Sequence, residues 1–321
     1  MPGAERPKVL ICRRLLPAGR DPLAARCEIR EGGLDATSQE LVNLARGAVA
    51  IVADPTVRVG EELLTAAGEQ LRVVANYAVG YDNVDVAACR SRGIAVTNTP
   101  GVLTNATAEL ALALTLAAAR RINEAESDLR GGRWRGWDPG DLLGLELSGA
   151  TFGIVGMGRI GRRYAELVAP LAGTIVYTSR SPKPEVQRAL GAEQVPMQEL
   201  LTRSDVVSLH VPATPETVWL IGAIELEAMP SHAILVNTAR GSLVDAQALA
   251  RALRDHVIGG AGLDVYENEP GVPRALLDAP RCVLLPHIGS ATTRARDAMA
   301  ALVAHNVLAV LDGADPPNRV A

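Results

Sequence analysis

Short apolar runs separated by stretches of helical spacing set the pattern of the first hundred residues. The runs are rich in Val, Ile and Ala, and they predict strands over 9–11, 48–52, 71–75 and 94–96. Strands that are apolar without alternation are typical of a parallel sheet buried on both faces. Helical spacing in 60–67 and 85–92 completes an alternating pattern, which predicts an α/β domain.

The same alternation continues through the rest of the chain. Six further strands are predicted over 152–155, 174–177, 205–209, 233–237, 260–264 and 283–285, and six is the strand number of a full dinucleotide-binding sheet. An Ala/Leu-rich helix is predicted over 104–123, an ordered arm without periodicity over 131–149, and a last helix over 293–311. Because that last helix is too short to form a domain, we expect it to pack back onto the first one. The predicted domains are therefore 1–98 with 290–321, and 99–289.

A glycine-rich turn stands between two of the predicted strands. Gly156 permits a tight turn, Gly158 lets the backbone approach a pyrophosphate, and Gly161 lets the following helix pack close to the strand. The free N–H groups and the positive dipole end of that helix favour phosphate. Strand, turn, helix and next strand form a unit of about 30 residues, which raises a weak motif to a dinucleotide-site hypothesis. The predicted contacts are Gly156, Met157, Gly158, Arg159, Ile160 and Gly161.

Composition excludes several classes of function. Lys and Arg (32) nearly balance Asp and Glu (36), so there is no basic surface for a nucleic acid. The longest apolar run, 110–119, is too short to span a bilayer, and no signal peptide precedes the first strand. The four cysteines have no metal-site or disulfide spacing. We therefore expect a cytoplasmic protein with no structural metal and no membrane or nucleic-acid partner.

Three residues that can carry acid–base chemistry follow three of the predicted strands. Ligands bind outside the carboxyl ends of such strands, where Arg240, Glu269 and His287 lie. Arg240 can fork onto a carboxylate and an adjacent keto oxygen, His287 can donate a proton to that oxygen, and Glu269 can hold the imidazole in its charged form. A single Arg, Glu or His at a strand end is usually solvated or structural, so the hypothesis rests on the conjunction of all three.

Several segments resemble the D-2-hydroxyacid dehydrogenases, and most closely the glyoxylate/hydroxypyruvate reductases. The similar segments are 76–85, 103–109, 156–161, 237–241, 261–265 with 269–270, and 286–292. The resemblance implies an NAD(P)-dependent oxidoreductase that reduces a small 2-keto acid, glyoxylate or hydroxypyruvate, to the D-2-hydroxy acid. It also implies a fold of class α/β with two domains, a Rossmann doubly wound parallel sheet and a smaller flavodoxin-like α/β substrate domain.

The resemblance further assigns roles to individual residues. It implies Arg240, Glu269 and His287 as the catalytic set, with Val79 and Gly80 amides holding the substrate carboxylate. The cofactor would be contacted by Thr107, Thr238, Ala239, Asp264 and Gly289. The helix and arm of 104–149 would form a homodimer interface, with Trp137 reaching the substrate of the partner subunit.

The choice between the two nicotinamide cofactors depends on the end of the second strand of the dinucleotide sheet. An Asp or Glu about 20 residues after the first glycine would bind the ribose of NAD. The sequence instead has Ser179, Arg180 and Ser181, and the first acid is Glu185. A hydroxyl and a cation suit a 2′-phosphate, so we expect NADPH to be preferred, with NADH possible.

Two alternative functions share the predicted scaffold. Phosphite dehydrogenases resemble the arm in 133–139, but they have a lysine where this chain has Val79, so an inorganic dianion would lose a partner. A dinucleotide-sensing corepressor is a different class. The intact set of Arg240, Glu269 and His287 argues against that class.

Overall fold

The computed structural model describes residues 6–321, which divide into two compact units. Unit 1 contains the described residues up to Leu103 together with Ser290–Ala321, and unit 2 is Thr104–Gly289. The boundary proposed from the sequence, between residues 98 and 99, differs from this division by the segment 99–103. None of the helices in the described residues has the length and hydropathy needed to cross a bilayer.

Unit 1 is an α/β unit built on a five-stranded parallel sheet. Its strand order is β2-β1-β3-β4-β5, which is the doubly wound order of flavodoxin-like folds. The strands are β1 (Lys8–Ile11), β2 (Glu28–Glu31), β3 (Ala48–Ala53), β4 (Val73–Asn76) and β5 (Ala95–Thr97). The helices are α1 (Pro17–Arg26), α2 (Ser38–Ala45), α3 (Glu61–Ala67), α4 (Val86–Ser91) and, from the end of the chain, α13 (Thr293–Leu311).

Helix α13, although it follows unit 2 in the chain, packs within unit 1. It packs against α1 so closely that a Cβ built on Gly19 would lie 2.2 Å from the carbonyl oxygen of Ala300. The hydroxyl of Tyr77 also donates to the carbonyl of Arg296 at 2.7 Å, which ties the start of the helix to the end of β4. Strand β2 was not predicted, because it is a polar edge strand whose residues are at least partly exposed.

Unit 2 carries a seven-stranded parallel sheet. The strands are β6 (Ala150–Val155), β7 (Ala172–Thr178), β8 (Glu193–Gln194), β9 (Val206–Leu209), β10 (Ile234–Asn237), β11 (Gly260–Leu263) and β12 (Cys282–Leu284). The helices are α5 (Thr104–Ala119), α6 (Ile122–Arg130), α7 (Arg159–Val168), α8 (Pro184–Leu190), α9 (Met197–Arg203), α10 (Ala223–Ala228), α11 (Ala246–Arg254) and α12 (Arg274–Leu277). Short 3₁₀ turns cover Pro215–Thr217 and Gly241–Leu243.

The strand order of this sheet is β12-β11-β10-β9-β6-β7-β8. Successive strands are added to one side of β6 up to β8 and to its other side from β9 onward, so the order reverses between β6 and β9. This is the switch point at which doubly wound sheets bind dinucleotides. The predicted Rossmann architecture is therefore confirmed, with one correction to the strand count. The expected six strands become seven because β8, only two residues long and polar, pairs with the outer edge of β7.

The helix predicted over 104–123 is wrong at its carboxyl end. Helix α5 stops at Ala119, and Arg121 adopts a left-handed conformation (φ 52°) before α6 begins. Tertiary bonds redirect the chain here: the Glu124 carboxylate accepts from Arg281 N at 2.7 Å, and Asn123 Nδ2 donates to the carbonyl of Cys282 at 3.1 Å. Local spacing could not reveal this attachment to the end of the sheet.

Candidate active site

The glycine turn follows β6 and is as tight as the sequence predicts. Gly156 has φ 97°, and a Cβ there would lie 2.6 Å from the carbonyl oxygen of His210. A Cβ on Gly161 would lie 2.0 Å from the carbonyl oxygen of Gly156. Glycine is therefore required at position 156 by its positive φ and close contact, and at position 161 by its close contact alone.

The third glycine faces open space. A Cβ built on Gly158 would meet no described atom within 4 Å, and Gly158 caps α7 without a side-chain hydrogen bond. The first N–H groups of α7 therefore have no capping side chain, and they can serve an anion. Of the other turn residues, Met157 is buried, Ile160 is half-buried and Arg159 is exposed.

A buried polar cluster lies behind this turn. The ring of His210 packs 5.1 Å from that of Tyr164, and its Nε2 lies 2.9 Å from Ser208 Oγ. The Tyr164 hydroxyl is 2.8 Å from Thr115 Oγ1 on α5. Burial lowers the pKa of His210 to about 3, so its imidazole is neutral at physiological pH. His210 therefore supports the turn as a neutral packing group.

The residues after β7 form a polar loop. Ser179 Oγ donates to the carbonyl of Ser181 at 2.6 Å, and Lys183 Nζ lies 3.3 Å from Ser181 Oγ. Arg180 and Ser181 are exposed. Lys183 was missed by the sequence analysis, although a second cation three residues after Arg180 was visible there.

The histidine and the glutamate predicted to act together are hydrogen-bonded. His287 Nδ1 lies 2.6 Å from Glu269 Oε2, and the other oxygen, Oε1, accepts from Tyr266 N at 2.9 Å. Burial would raise the pKa of the Glu269 carboxyl. The bond to His287, the Tyr266 amide and the nearby charge of Arg240 more than offset burial, so this pKa lies below its ordinary value. Glu269 is therefore an ionised, oriented partner for the imidazole.

The loop that carries Arg240 is fixed by a buried amide that the sequence analysis overlooked. Asn237 Nδ2 donates to the carbonyl of Arg240 at 2.8 Å, and its Oδ1 accepts from Ala239 N at 3.0 Å. The next residue, Gly241, lies so close to the following strand end that a Cβ there would be 1.9 Å from the carbonyl carbon of Tyr266. A buried asparagine at a strand end was the available signal, and it marks Asn237 as a positioning residue.

Asp264 organises the backbone around His287. Its carboxylate accepts from Ile288 N and Gly289 N at 2.7 Å each, and its carbonyl accepts from His287 N at 2.9 Å. His287 itself has a left-handed backbone (φ 52°), which a non-glycine residue adopts only when its surroundings enforce it. Burial raises the pKa of Asp264, and the two amides partly counter that effect.

The remaining cofactor residues predicted by resemblance gather at the same sheet edge. A Cβ built on Gly289 would lie 3.1 Å from Asp264 Oδ2 and 3.5 Å from Thr107 Cγ2. Thr238 is buried, and its hydroxyl oxygen has no hydrogen-bond partner among the described residues. An open glycine turn and an orphaned hydroxyl at the carboxyl ends of the strands fit a dinucleotide.

The predicted substrate residues are not all in unit 2. Val79 and Gly80 belong to unit 1, where they follow β4 and are half-buried. Trp137 lies on the arm that follows α6, and its side chain is 85% exposed. The Trp137 side chain is therefore not part of the core of its own chain.

The comparison with protein families settles the relationship that this geometry suggests. The model for the D-isomer specific 2-hydroxyacid dehydrogenase NAD binding domain matches residues 112–289. The chain belongs to the D-isomer specific 2-hydroxyacid dehydrogenase family. Among curated relatives of this dehydrogenase, a glyoxylate reductase from Thermococcus litoralis is 50% identical over 284 residues, which cover 87% of this chain and 86% of the relative.

Solved structures agree with this dehydrogenase fold over nearly the full length. A protein from Thermus thermophilus matches with a TM-score of 0.89 and 46% identity, and the alignment covers 98% of this chain and 100% of the other. The NADPH-dependent glyoxylate/hydroxypyruvate reductase from Sinorhizobium meliloti, in complex with NADP and malonate, matches with a TM-score of 0.86 and 36% identity, covering 99% and 97%. The chain is an oxidoreductase of the nicotinamide-dependent type.

Proposed function

We propose that this dehydrogenase reduces glyoxylate or hydroxypyruvate to the corresponding D-2-hydroxy acid, with NADPH as the preferred reductant. The observation that carries the proposal is the His287–Glu269 pair, 2.6 Å apart, with the charge of Arg240 beside it. The names of its relatives, glyoxylate reductase and glyoxylate/hydroxypyruvate reductase, support the substrate class.

The proposed mechanism gives each residue one task. The backbone amides of Val79 and Gly80 bind the substrate carboxylate, and the Arg240 guanidinium forks onto the carboxylate and the keto oxygen. Because Nδ1 of His287 is engaged with Glu269, Nε2 is the nitrogen that donates a proton to the keto oxygen. When bound, the reduced nicotinamide supplies the hydride to the keto carbon. Until Nε2 donates this proton, the Glu269 carboxylate stabilises the charged imidazolium of His287.

The cofactor is proposed to lie along the carboxyl ends of the unit 2 strands. The first N–H groups of α7, beside Gly158, would hold the pyrophosphate, and residues at the ends of β10 and β11 would hold the nicotinamide end. The residues proposed to line this end are Thr107, Thr238, Ala239, Asp264 and Gly289.

The preference for NADPH rests on the loop after β7. Ser179, Arg180, Ser181 and Lys183 offer hydroxyl groups and two cations, and the loop contains no carboxylate before Glu185. A 2′-phosphate would be bound by these donors, whereas the ribose of NADH would lack its usual acidic partner.

We also propose a homodimer formed through the helices and arm of 104–149. This segment exposes a set of large apolar side chains that includes Ile122, Leu129, Trp134, Trp137 and Leu143. This concentration of exposed large apolar side chains in one segment supports an interaction surface there. By the family resemblance, Trp137 would reach the substrate of the partner subunit.

We further propose that the protein lies in the reducing cytoplasm. Its four cysteines are free thiols, which supports that compartment.

One steady-state panel tests the proposal. Glyoxylate, hydroxypyruvate, pyruvate and a bulkier 2-keto acid are each assayed with NADPH and with NADH by the loss of nicotinamide absorbance. The proposal expects the highest kcat/KM with one of the two small substrates and NADPH. Tight binding of NADPH without turnover of any 2-keto acid would instead favour a dinucleotide sensor.

A further inference from the structure

The loop after β4 in unit 1 has its carbonyl groups tied down one after another. The carbonyl of Ala78 accepts from Thr99 N at 2.9 Å, that of Val79 from Asn98 Nδ2 at 2.7 Å, and that of Gly80 from Asn76 Nδ2 at 2.7 Å. Three successive peptide groups are thus held by hydrogen bonds to their oxygen atoms.

Holding these oxygens also fixes the direction of the amides. In a trans peptide the N–H of one residue points opposite to the C=O of the residue before it. Thr99 therefore orients the Val79 N–H, and Asn98 orients the Gly80 N–H. Among the described residues, neither N–H donates to an acceptor. Glycine at position 80 would otherwise allow its peptide group to rotate.

Asn98 is itself rigidly placed at the end of β5. Its N–H donates to the carbonyl of Asn318 at 3.3 Å, and its carbonyl accepts from Asn306 Nδ2 at 3.2 Å. The oxygen of that Asn306 amide accepts from Asn318 N at 3.3 Å. The backbone that carries the Asn98 side chain is therefore held at both its N–H and its carbonyl group.

Asn76 belongs to a second, buried arrangement. Its amide exchanges hydrogen bonds with that of Asn83 at 3.1 and 3.0 Å. Asn83 Nδ2 also contacts the carbonyls of Asp54 and Val57 at 2.9 Å each, which joins the loop after β3 to the loop after β4. This pair braces the peptide group that follows Gly80, and Asn76 is too deeply buried for a clean substitution.

We propose that Asn98 is a positioning residue for substrate binding: it turns the Gly80 N–H, beside that of Val79, toward the substrate carboxylate. This inference rests on the proposed function, in which those two amides bind that carboxylate. The consequence is specific, since loss of Asn98 weakens binding of the acid group and leaves hydride transfer and cofactor binding intact.

The test substitutes Asn98→Ala and Asn98→Asp. The alanine removes the donor without adding charge, and the aspartate keeps the shape if the alanine variant fails to fold. Each is expected to raise KM for glyoxylate by about tenfold to hundredfold. This is the effect of losing one hydrogen bond to a charged group, here the bond from the Gly80 N–H to the substrate carboxylate. The Ki of oxalate should rise in parallel, while kcat at saturation and the Kd of NADPH, measured by fluorescence, stay near those of the wild type.

Asn43→Ala, at an exposed asparagine on α2 of the same unit, is the matched control, because it removes an amide outside the bonds that hold Asn98. It should leave Tm nearly unchanged and KM and Ki within about twofold. An equal rise of KM in this control, or an unchanged KM in a folded Asn98 variant, would overturn the positioning role. A wild-type protein that reduces no 2-keto acid would instead overturn the proposed function.

Discussion

His287 Nδ1 lies 2.6 Å from Glu269 Oε2, although the two residues come from different strand ends of the same sheet. The carboxylate is held by Tyr266 N, and the histidine backbone is held by the Asp264 carbonyl, so both members of the pair are fixed by main-chain hydrogen bonds. An imidazole anchored through Nδ1 can present only Nε2 to a substrate.

Removing the proposed proton donor should affect chemistry and spare cofactor binding. We expect His287→Ala to lower kcat by about 10²–10⁴-fold, the usual contribution of a general acid, with an unchanged Kd for NADPH. His305→Ala, on the exposed face of α13, is the control and should behave as the wild type. Near-normal turnover by His287→Ala would show that another group supplies the proton.

The lowered pKa of Glu269 predicts a pH dependence of stability. Because the folded pKa lies below the ordinary 4.5, ionised Glu269 stabilises the fold above about pH 4.5, and this contribution is lost as the pH falls through the lower folded value. The Tm of the wild type should therefore exceed that of Glu269→Gln at about pH 7, with the difference shrinking in acid. A Tm difference that grows on acidification would contradict this assignment.

The shape of the Arg240 side chain should matter as well as its charge. We expect Arg240→Ala to lower kcat/KM by about 10²–10³-fold, or about 3 kcal/mol of transition-state stabilisation. Arg240→Lys should retain only a small part of the kcat/KM that Arg240→Ala loses, because an ammonium group cannot form paired hydrogen bonds to two oxygens. The control is Arg251→Ala on the exposed side of α11. Full activity of the lysine variant would reduce the role of Arg240 to a point charge.

The loop after β7 should control the choice of cofactor. We expect Ser179→Asp to lower the ratio of kcat/KM for NADPH to that for NADH by at least about tenfold, because a carboxylate repels the 2′-phosphate and accepts from the ribose hydroxyl. Ser91→Asp, at an exposed serine of unit 1, should leave the ratio unchanged. An unaltered ratio in Ser179→Asp would mean that other residues select the cofactor.

The close approach at Gly241 predicts a large effect from a single methyl group. A Cβ there would lie 1.9 Å from the Tyr266 carbonyl carbon and 2.3 Å from Glu267 N, and backbone atoms cannot move aside cheaply. Gly241→Ala should cost about 1–3 kcal/mol of stability and displace Arg240, lowering both Tm and kcat/KM. Gly140→Ala, whose Cβ would meet only Asp138 Oδ1 at 3.4 Å, should be close to neutral. Equal Tm values for the two variants would argue against the close contact.

Elements that are continuously apolar could be predicted from the sequence, and polar edges could not. Strand β4 and its parallel neighbours appear as runs of Val, Ile and Ala, because both faces of the sheet are buried. Strands β2 and β8 were not predicted, because edge strands bury little apolar surface and carry polar residues. The break at Arg121 depends on bonds to residues more than 150 positions away, such as Arg281 N to Glu124 at a separation of 157.

Residue identity and local order by themselves determined the α/β class, the glycine turn and the choice of Arg240, Glu269 and His287, because each follows a buried strand and strand ends share one edge of a parallel sheet. Tertiary structure alone decided how those residues are held: the 2.6 Å pair, the left-handed His287, and the Asn98 amide on the Val79 carbonyl. The physical reason is that hydrogen-bond geometry and close packing depend on residues distant in the chain, which no local pattern records.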